Sequence, residues 1–563
     1  MKFYNFSTLQ FRIYFFLLAF IIGFINAWFV RNSLDFDGLP NLDMGDLFFQ
    51  GNWSALINGM WSPLYPFILG LILHLFKPTS YWESAVVHCV NFFIYLFAFF
   101  SFDFFLQQLI KYNKQKEANL LGFKLITLPE WALLSLGYSF FIWSSIDLVT
   151  MSRIMPDILA TVFVYLAAGI LLKIKSGATS WVTFIIFGIV LALGYLTKTA
   201  MFLIAFVFIG TAFFVINDKS KRSLYVLIAL ITFLLASSPY IILLSKSKGY
   251  LTFGESGKVN YLWEVNGINE MDEIRDCSMG DFSQCERLIH PVRIIYKEPM
   301  VYEFSTPFKV TYPPWYDPSY WISGFLPQID LKGQIKAIVR SAKVYLNLIY
   351  DISGVLLAYL ILLFISPGKK SWLKDITKEC LLLIPPLLVI GMYSLVHVET
   401  RYISSFIVIF LLGLFSTLKL PDSKKMKKLI AYIIGIIVIF MTFTSIFSTD
   451  LIGHIKIADP YKEWKVSEGL KKIGIKEGDK VAVIPGASDV YWARFAKVHI
   501  IAEIRPEVEA NKFWAANDSV KSQIYQAFKK VGVKVIVAIT APPNASSMNW
   551  KNIKDTPYYY YVL

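Results

Sequence analysis

Long apolar runs separated by short charged loops dominate this chain. Runs near bilayer length recur at 11–30, 84–109, 130–148, 154–172, 180–196, 199–216, 223–244, 342–366, 380–397, 402–418 and 428–447. A helix of roughly 20 apolar residues crosses a bilayer, so the pattern predicts a polytopic α-helical membrane protein with about eleven transmembrane helices. The run at 63–76 is shorter and begins with Pro63 and Pro66. It reads as an interfacial or re-entrant piece. After residue 448 the pattern changes. Val481–Ile484 is a buried-strand run ending at Pro485-Gly486, 518–530 has helical periodicity, 533–539 is β-branched, and 558–563 fits a third strand. The expected organisation is a membrane module, 1–447, followed by a small C-terminal α/β domain, 448–563. Within the module, 31–83 and 245–341 form loops. The second is aromatic and Pro-rich (Tyr312-Pro313-Pro314-Trp315-Tyr316) and reads as an irregular lid.

Composition supports the membrane reading, with 56% hydrophobic and 17% charged residues, less charge than soluble proteins carry. The net charge of +14 does not point to nucleic acid, because the basic residues cluster in the short loops 111–124, 173–175, 219–222, 369–378 and 424–428. If 63–76 does not cross, all five loops share the side of the N-terminus, which the positive-inside rule makes cytoplasmic. The segment 31–83, the turn 152–157, Lys198, the loop 245–341, the turn 397–402 and the tail then share the outer face. The N-terminal run, preceded by Lys2 and containing Arg12, is expected to be a retained anchor. Cys89 and Cys380 lie in apolar runs, whereas Cys277 and Cys285 lie close together in a polar loop. That pair is a disulfide candidate if the loop meets an oxidising compartment.

The candidate chemistry lies on this face. Asp35, Asp37, Asp43 and Asp46 follow the first span directly. Charge beside lipid is costly unless solvated, paired or functional. An ionised carboxylate there can act as general base or ligate a divalent cation; helix capping is the competing role. Asp43 and Asp46 are three residues apart and would share one helical face. Arg153 and Asp157 bracket Met155-Pro156 at a helix start, where an acid is also an ordinary start signal. Lys198 sits within the apolar stretch 180–216, at the expected tip of a hairpin, placed either to snorkel or to bind a lipid phosphate. His397, Glu399, Arg401 and Tyr402 crowd one turn between spans. An internal Glu399–Arg401 pair competes there with contacts to a phosphate or sugar. The chain contains no internal repeat, P-loop, dinucleotide fingerprint or Cys/His metal spacing.

Taken in order, Asp37-Gly38, Trp61-Ser62-Pro63-Leu64-Tyr65-Pro66, Arg153…Pro156-Asp157, Gly194-Tyr195-Leu196-Thr197-Lys198 and Glu399-Thr400-Arg401-Tyr402 resemble the GT-C superfamily of multi-spanning glycosyltransferases. The likeness is to the bacterial branch related to dolichyl-phosphate-mannose protein mannosyltransferases and lipid A aminoarabinose transferases, and it covers about 10–420. The resemblance implies an inverting transfer of a sugar from a polyprenyl-phosphate donor to a glycan, lipid or protein hydroxyl, at the outer face of a bacterial inner membrane. It implies an acid of the first loop as catalytic base, Asp37 first and Asp43 in reserve, with Asp157 also in the catalytic set. Arg153, Lys198 and Arg401, with His397, Glu399 and Tyr402, would hold substrate and phosphate. Relatives often carry an adjacent acidic pair where this chain has Asp-Gly, so a divalent cation, on Asp37 and Asp46 if anywhere, is an open expectation. The competing function is a transporter or flippase of lipid-linked sugars, for which repeated halves and broken midplane helices are the usual signs.

Overall fold

The computed structural model describes residues 7–118, 125–268, 288–367, 379–447, 461–486, 490–505, 507–539 and 549–563. Cys277 and Cys285 lie outside the described residues.

Helix α1 (Thr8–Val30) starts in a Ser7–Gln10 capping box and runs against α4 (Ser80–Ala118). Between them lie the short helices α2 (Gly38–Phe49) and α3 (Leu64–Phe76). The chain enters and leaves this segment at the same end of the bundle. Ser84 Oγ donates to the Ser33 carbonyl at 3.0 Å, and His88 Nε2 contacts the same oxygen. The apolar helix α3 therefore does not carry the chain to the opposite end. It packs on α2, and the two backbones meet at Gly45 and Gly70. A Cβ on Gly45 would lie 2.6 Å from the Pro66 carbonyl, so only glycine permits the approach.

The chain then runs through α5 (Glu130–Trp143, continued by a π-helical turn to Val149), α6 (Asp157–Lys175), α7 (Trp181–Thr197), α8 (Met201–Val215) and α9 (Arg222–Lys248). After the long loop come α11 (Leu331–Asp351), α12 (Ser353–Ile365), α13 (Cys380–Ser394), α14 (Thr400–Phe415) and α15 (Lys424–Ile446), with α10 (Ser256–Glu264) inside the loop. Among the described residues, six helices are long and apolar enough to span a membrane; α11 and α12 together are apolar enough as well but are bent by 66° against each other, the shape of a broken span or a re-entrant loop. The helices α7, α8, α13 and α14 are shorter but apolar. The protein is thus an α-helical polytopic membrane protein with a C-terminal α/β unit. An aromatic core, with Tyr138 stacked between Phe15 and Phe99, ties α1, α4 and α5 together. At the end away from the acidic segment, Arg12 pairs with Asp103 at 2.7 Å, and Lys116 bonds Glu379 and the Ser416 carbonyl.

The long loop and α11 differ from the expectation of an irregular stretch up to 341. The helix begins at Leu331 because its face is built for packing: Gly333, Ala337 and Ser341 are buried. Lys332, Lys336, Arg340 and Lys343 depress its mean hydropathy and hide it from a search for apolar runs. Earlier in the loop, β1 (Arg293–Tyr296) and β2 (Val301–Glu303) form a hairpin that joins the C-terminal sheet. That seven-stranded sheet runs β1-β2-β4-β3-β5-β7-β6, with β3 (Lys480–Ile484), β4 (His499–Glu503), β5 (Val535–Ala538), β6 (Lys551–Asn552) and β7 (Tyr559–Val562). Its centre, β4-β3-β5, is parallel. Along β3 the faces alternate. Val481 and Val483 pack with Val466 and Leu470 of α16 (Lys462–Lys472) and Trp492 of α17 (Tyr491–Ala496). Ala482 and Ile484 pack with Phe513 and Trp514 of α18 (Glu507–Ala515) and Ile524 of α19 (Asp518–Lys530).

Candidate active site

Four separate helix ends meet where the acidic segment closes over the bundle. Pro156 precedes α6 and leaves Asp157 in the first turn, buried. The break between α7 and α8 holds Lys198 in extended backbone. The turn between α13 and α14 supplies His397, Glu399, Arg401 and Tyr402, anchored by Thr400 Oγ1 on the Leu148 carbonyl. The segment 35–38 supplies Asp37. Asp37 stands at the start of α2, but its side chain makes no capping hydrogen bond, which removes the capping role.

Arg401 is the hub. Its guanidinium is 6% exposed. Nη2 donates to Glu399 Oε1 at 2.7 Å and lies 3.9 Å from Asp37 Oδ2, and Nε lies 3.9 Å from Asp157 Oδ2. Nε and Nη1 of Arg401 and Oδ2 of Asp157 are buried without a hydrogen-bond partner. Lys198 Nζ bonds Asp157 Oδ1 and rests 3.6 Å from the Tyr402 ring centre, a cation–π contact. This paired, mostly buried ammonium does not snorkel. The internal Glu399–Arg401 pair exists and is one part of a larger network. His397 lies between Glu399 (3.4 Å) and Glu264 of α10 (3.1 Å), and Arg340 of α11 backs Glu264 at 2.8 Å. Arg153 is exposed, and its charge acts on both Asp35 and Asp37.

These surroundings set the charge states. Burial raises Asp37 above its ordinary value, against the pull of Arg401 and Arg153. Burial and neighbouring Asp37 raise Asp35 to about 6. Glu264 and Glu399 raise His397 to about 9 by hydrogen bonding. Burial works to raise Glu399, but His397 and Arg401 outweigh it and hold the carboxylate well below its usual range. Burial pulls Lys198 down, opposed by Asp157.

Asp43 and Asp46 are placed elsewhere. Both reach Arg494 of α17, at 2.8 and 2.6 Å, together with Glu83 of α4 at 2.8 Å. Asp43 also accepts from the Thr311 amide and hydroxyl. It is fully engaged in holding the C-terminal unit to the first loop, a physical reason against its reserve role as base. The candidate cation set fails the same test, since Asp46 is committed to Arg494 and Asp37 faces Arg401. Among the described residues no three His, Cys, Asp or Glu side chains converge as a metal site. Gly38 has its own reason. A Cβ there would lie 2.5 Å from that of Ile154 and 3.0 Å from the Tyr491 hydroxyl, so no second acid fits beside Asp37.

Below Arg401 a narrow cleft lies between α6, α8, α13 and α14, lined by Asp157, Lys198, Arg401 and Tyr402 and by Val164, Ile204 and Phe406. A second narrow cleft, lined only by apolar residues, shares Phe406 and lies between the same helices beside Leu171, Phe208 and Pro386. The charged rim thus caps an apolar seam. Glu264 and Trp315 join the site although nothing in the sequence marks them. Trp315 lies in a single helical turn, Pro313–Tyr316, near enough to Asp37 to favour its ionised form.

Two crystal structures of ArnT from Cupriavidus metallidurans are similar to this chain. The one bound to undecaprenyl phosphate has 10% identity and a TM-score of 0.44, over 98% of each chain. The apo form has 10% identity and a TM-score of 0.37, over 97% of each chain. The Archaeoglobus fulgidus oligosaccharyltransferase, solved with Zn and sulfate, is 12% identical over 94% of this chain and 67% of its own, with a TM-score of 0.48. No protein-family model matches the sequence, nor does any curated protein. At these identities and TM-scores, what the site does is argued from its own residues.

Proposed function

We propose that the protein is a membrane glycosyltransferase that moves a sugar from a polyprenyl-phosphate donor to a hydroxyl acceptor with inversion. One observation carries the reading: a carboxylate raised by burial, Asp37, stands 3.9 Å from a guanidinium whose buried, unpartnered nitrogens cap an apolar seam. A lipid phosphate matches that seam. Its head meets the free N–H groups of Arg401 and the ammonium of Lys198, and its chain lies between α6, α8, α13 and α14. Arg153 reaches the same head from the solvent side.

The step follows from these positions. The acceptor oxygen attacks the anomeric carbon and gives its proton to Asp37. The anomeric C–O bond to phosphate breaks, and polyprenyl phosphate leaves as an anion. Arg401, Lys198 and Arg153 stabilise that developing charge. Asp157 orients Lys198 and Arg401 rather than touching the reacting atoms. The proposed orientation puts this rim and the C-terminal unit outside a bacterial inner membrane, with the basic loops and the N-terminus in the cytoplasm.

The test is Asp37→Asn in purified protein supplied with a polyprenyl-phosphate sugar. Loss of a general base lowers turnover by about 10²–10⁴-fold, while binding of the carrier lipid stays at the wild-type level. In the wild type, the acid limb of the pH–rate profile falls above the ordinary aspartate value of 3.8, the direction in which burial moves Asp37. Normal turnover by Asp37→Asn would remove the base and the mechanism with it.

A further inference from the structure

Among the described residues, Trp61, Trp263 and Trp492 bury an indole N–H without a hydrogen-bond partner, and Trp315 buries one that is directed at the Asp37 carboxylate. Trp492 lies in the C-terminal unit. The other three come from separate segments and meet in one cluster. The rings of Trp263 and Trp315 are parallel within 3°, with centres 6.1 Å apart; Trp61 lies 6.5 Å from Trp315. Phe36, the neighbour of Asp37, stacks on Trp315 at 5.1 Å. A nearby indole does not share the property: Trp321 donates to the Pro313 carbonyl at 3.1 Å. Buried donors are nearly always paired, and two unmet ones beside a third indole turned to Asp37 are a specific arrangement.

We infer that Trp61, Trp263 and Trp315 form the acceptor subsite, and that the acceptor is a saccharide. This rests on the proposed transfer to a hydroxyl activated by Asp37. A sugar ring presents an apolar C–H face to aromatic rings and hydroxyl oxygens to indole N–H donors. An alkyl chain offers these donors nothing, and an extended peptide needs backbone partners that a cluster of rings does not supply. Position agrees with the role. Trp315 faces Asp37, and Trp263 precedes Glu264, whose carboxylate touches His397 at 3.1 Å. A sugar bound here places a hydroxyl beside the base, while the donor phosphate occupies the Arg401 side.

The experiment uses the full chain in lipid nanodiscs and calorimetric titration with a panel of methyl glycosides, with cyclohexanol as a ring-sized alcohol of low polarity. Trp61→Phe and Trp263→Phe keep a ring and remove the N–H. The expected result is binding of at least one glycoside by the wild type, weakened tenfold or more in both variants, with unchanged binding of undecaprenyl phosphate. Under turnover, the acceptor KM rises by a similar factor and kcat holds. Glycoside affinity unchanged in both variants, no glycoside binding by the wild type, or cyclohexanol binding as tightly as the glycosides would each overturn the inference. Titration does not depend on turnover, so these outcomes are separate from a failure of the Asp37→Asn test.

Discussion

Arg494 offers the sharpest quantitative test of how the C-terminal unit meets the membrane module. It is 6% exposed and faces Asp43 (6% exposed), Glu83 (16%) and Asp46 (35%). Replacement by alanine leaves Asp43 and Glu83 as buried carboxylates without their cation. Breaking a buried pair in this way costs roughly 3–5 kcal/mol; the more exposed Asp46 adds little. The loss falls on one contact, so it is read as opening of the tail against the first loop. Where cleavage samples a rapidly closing open state, the rate follows the open population, and the tail of Arg494→Ala is expected to be cut about 10²–10⁴-fold faster. Arg494→Lys falls between, because one ammonium cannot serve three carboxylates in a fixed fork. The pH dependence has a definite sign. Burial raises Asp43 and Arg494 pulls it back; without Arg494 it protonates at higher pH. A protonated Asp43 is no longer an unpaired charge, so the gap between variant and wild type narrows on acidification. Equal cleavage rates for wild type and Arg494→Ala from pH 5 to 8 would refute the latch.

Three further outcomes follow from the site. His397 is raised from 6.5 to about 9, so its stabilisation is fully present below about pH 6.5 and is lost as pH rises through about 9. The melting temperature of the wild type is expected to drop across that window and that of His397→Gln to stay flatter; parallel curves would show that His397 does not couple. Arg401→Lys forfeits charge-assisted bonds of roughly 1.5–3 kcal/mol, about ten- to a hundredfold in kcat/KM for the donor. For the Lys198–Asp157 pair, the double variant Lys198→Ala/Asp157→Asn restores the stability that Lys198→Ala loses without restoring donor turnover. Recovery of both in the double variant would make the pair structural only.

What the sequence disclosed, and what it hid, follows from the range of the interactions involved. Asp37, Asp157, Lys198 and Arg401 are charges at the edges of apolar runs, where the cost of burying charge makes each conspicuous. Their meeting at one rim depends on α3 returning the chain to the end it left, which Pro63, Pro66 and the short run made legible. The helix at 518–530 and the strands β3, β5 and β7 were readable from local periodicity alone. Glu264, Trp263 and Trp315 were not, because they sit in a loop without periodicity and acquire roles only through contact with His397, Asp37 and one another. Pairing of β2 with β4 joins residues about 200 positions apart, and no local pattern announces it. Arg494 was hidden for the opposite reason: a single arginine in a small α/β unit is ordinary, and its three carboxylate partners lie some 400 residues earlier. Asp43 illustrates the same limit: an acid beside a membrane looks the same in sequence whether it is to take a proton or to pair with a guanidinium, and the structure pairs it with Arg494. The separation of those two roles is the structure's main addition. Asp37 keeps a partly exposed carboxylate at the rim, touched by Trp315 and 3.9 Å from Arg401, whereas the acids six and nine residues on bind Arg494 of the C-terminal unit.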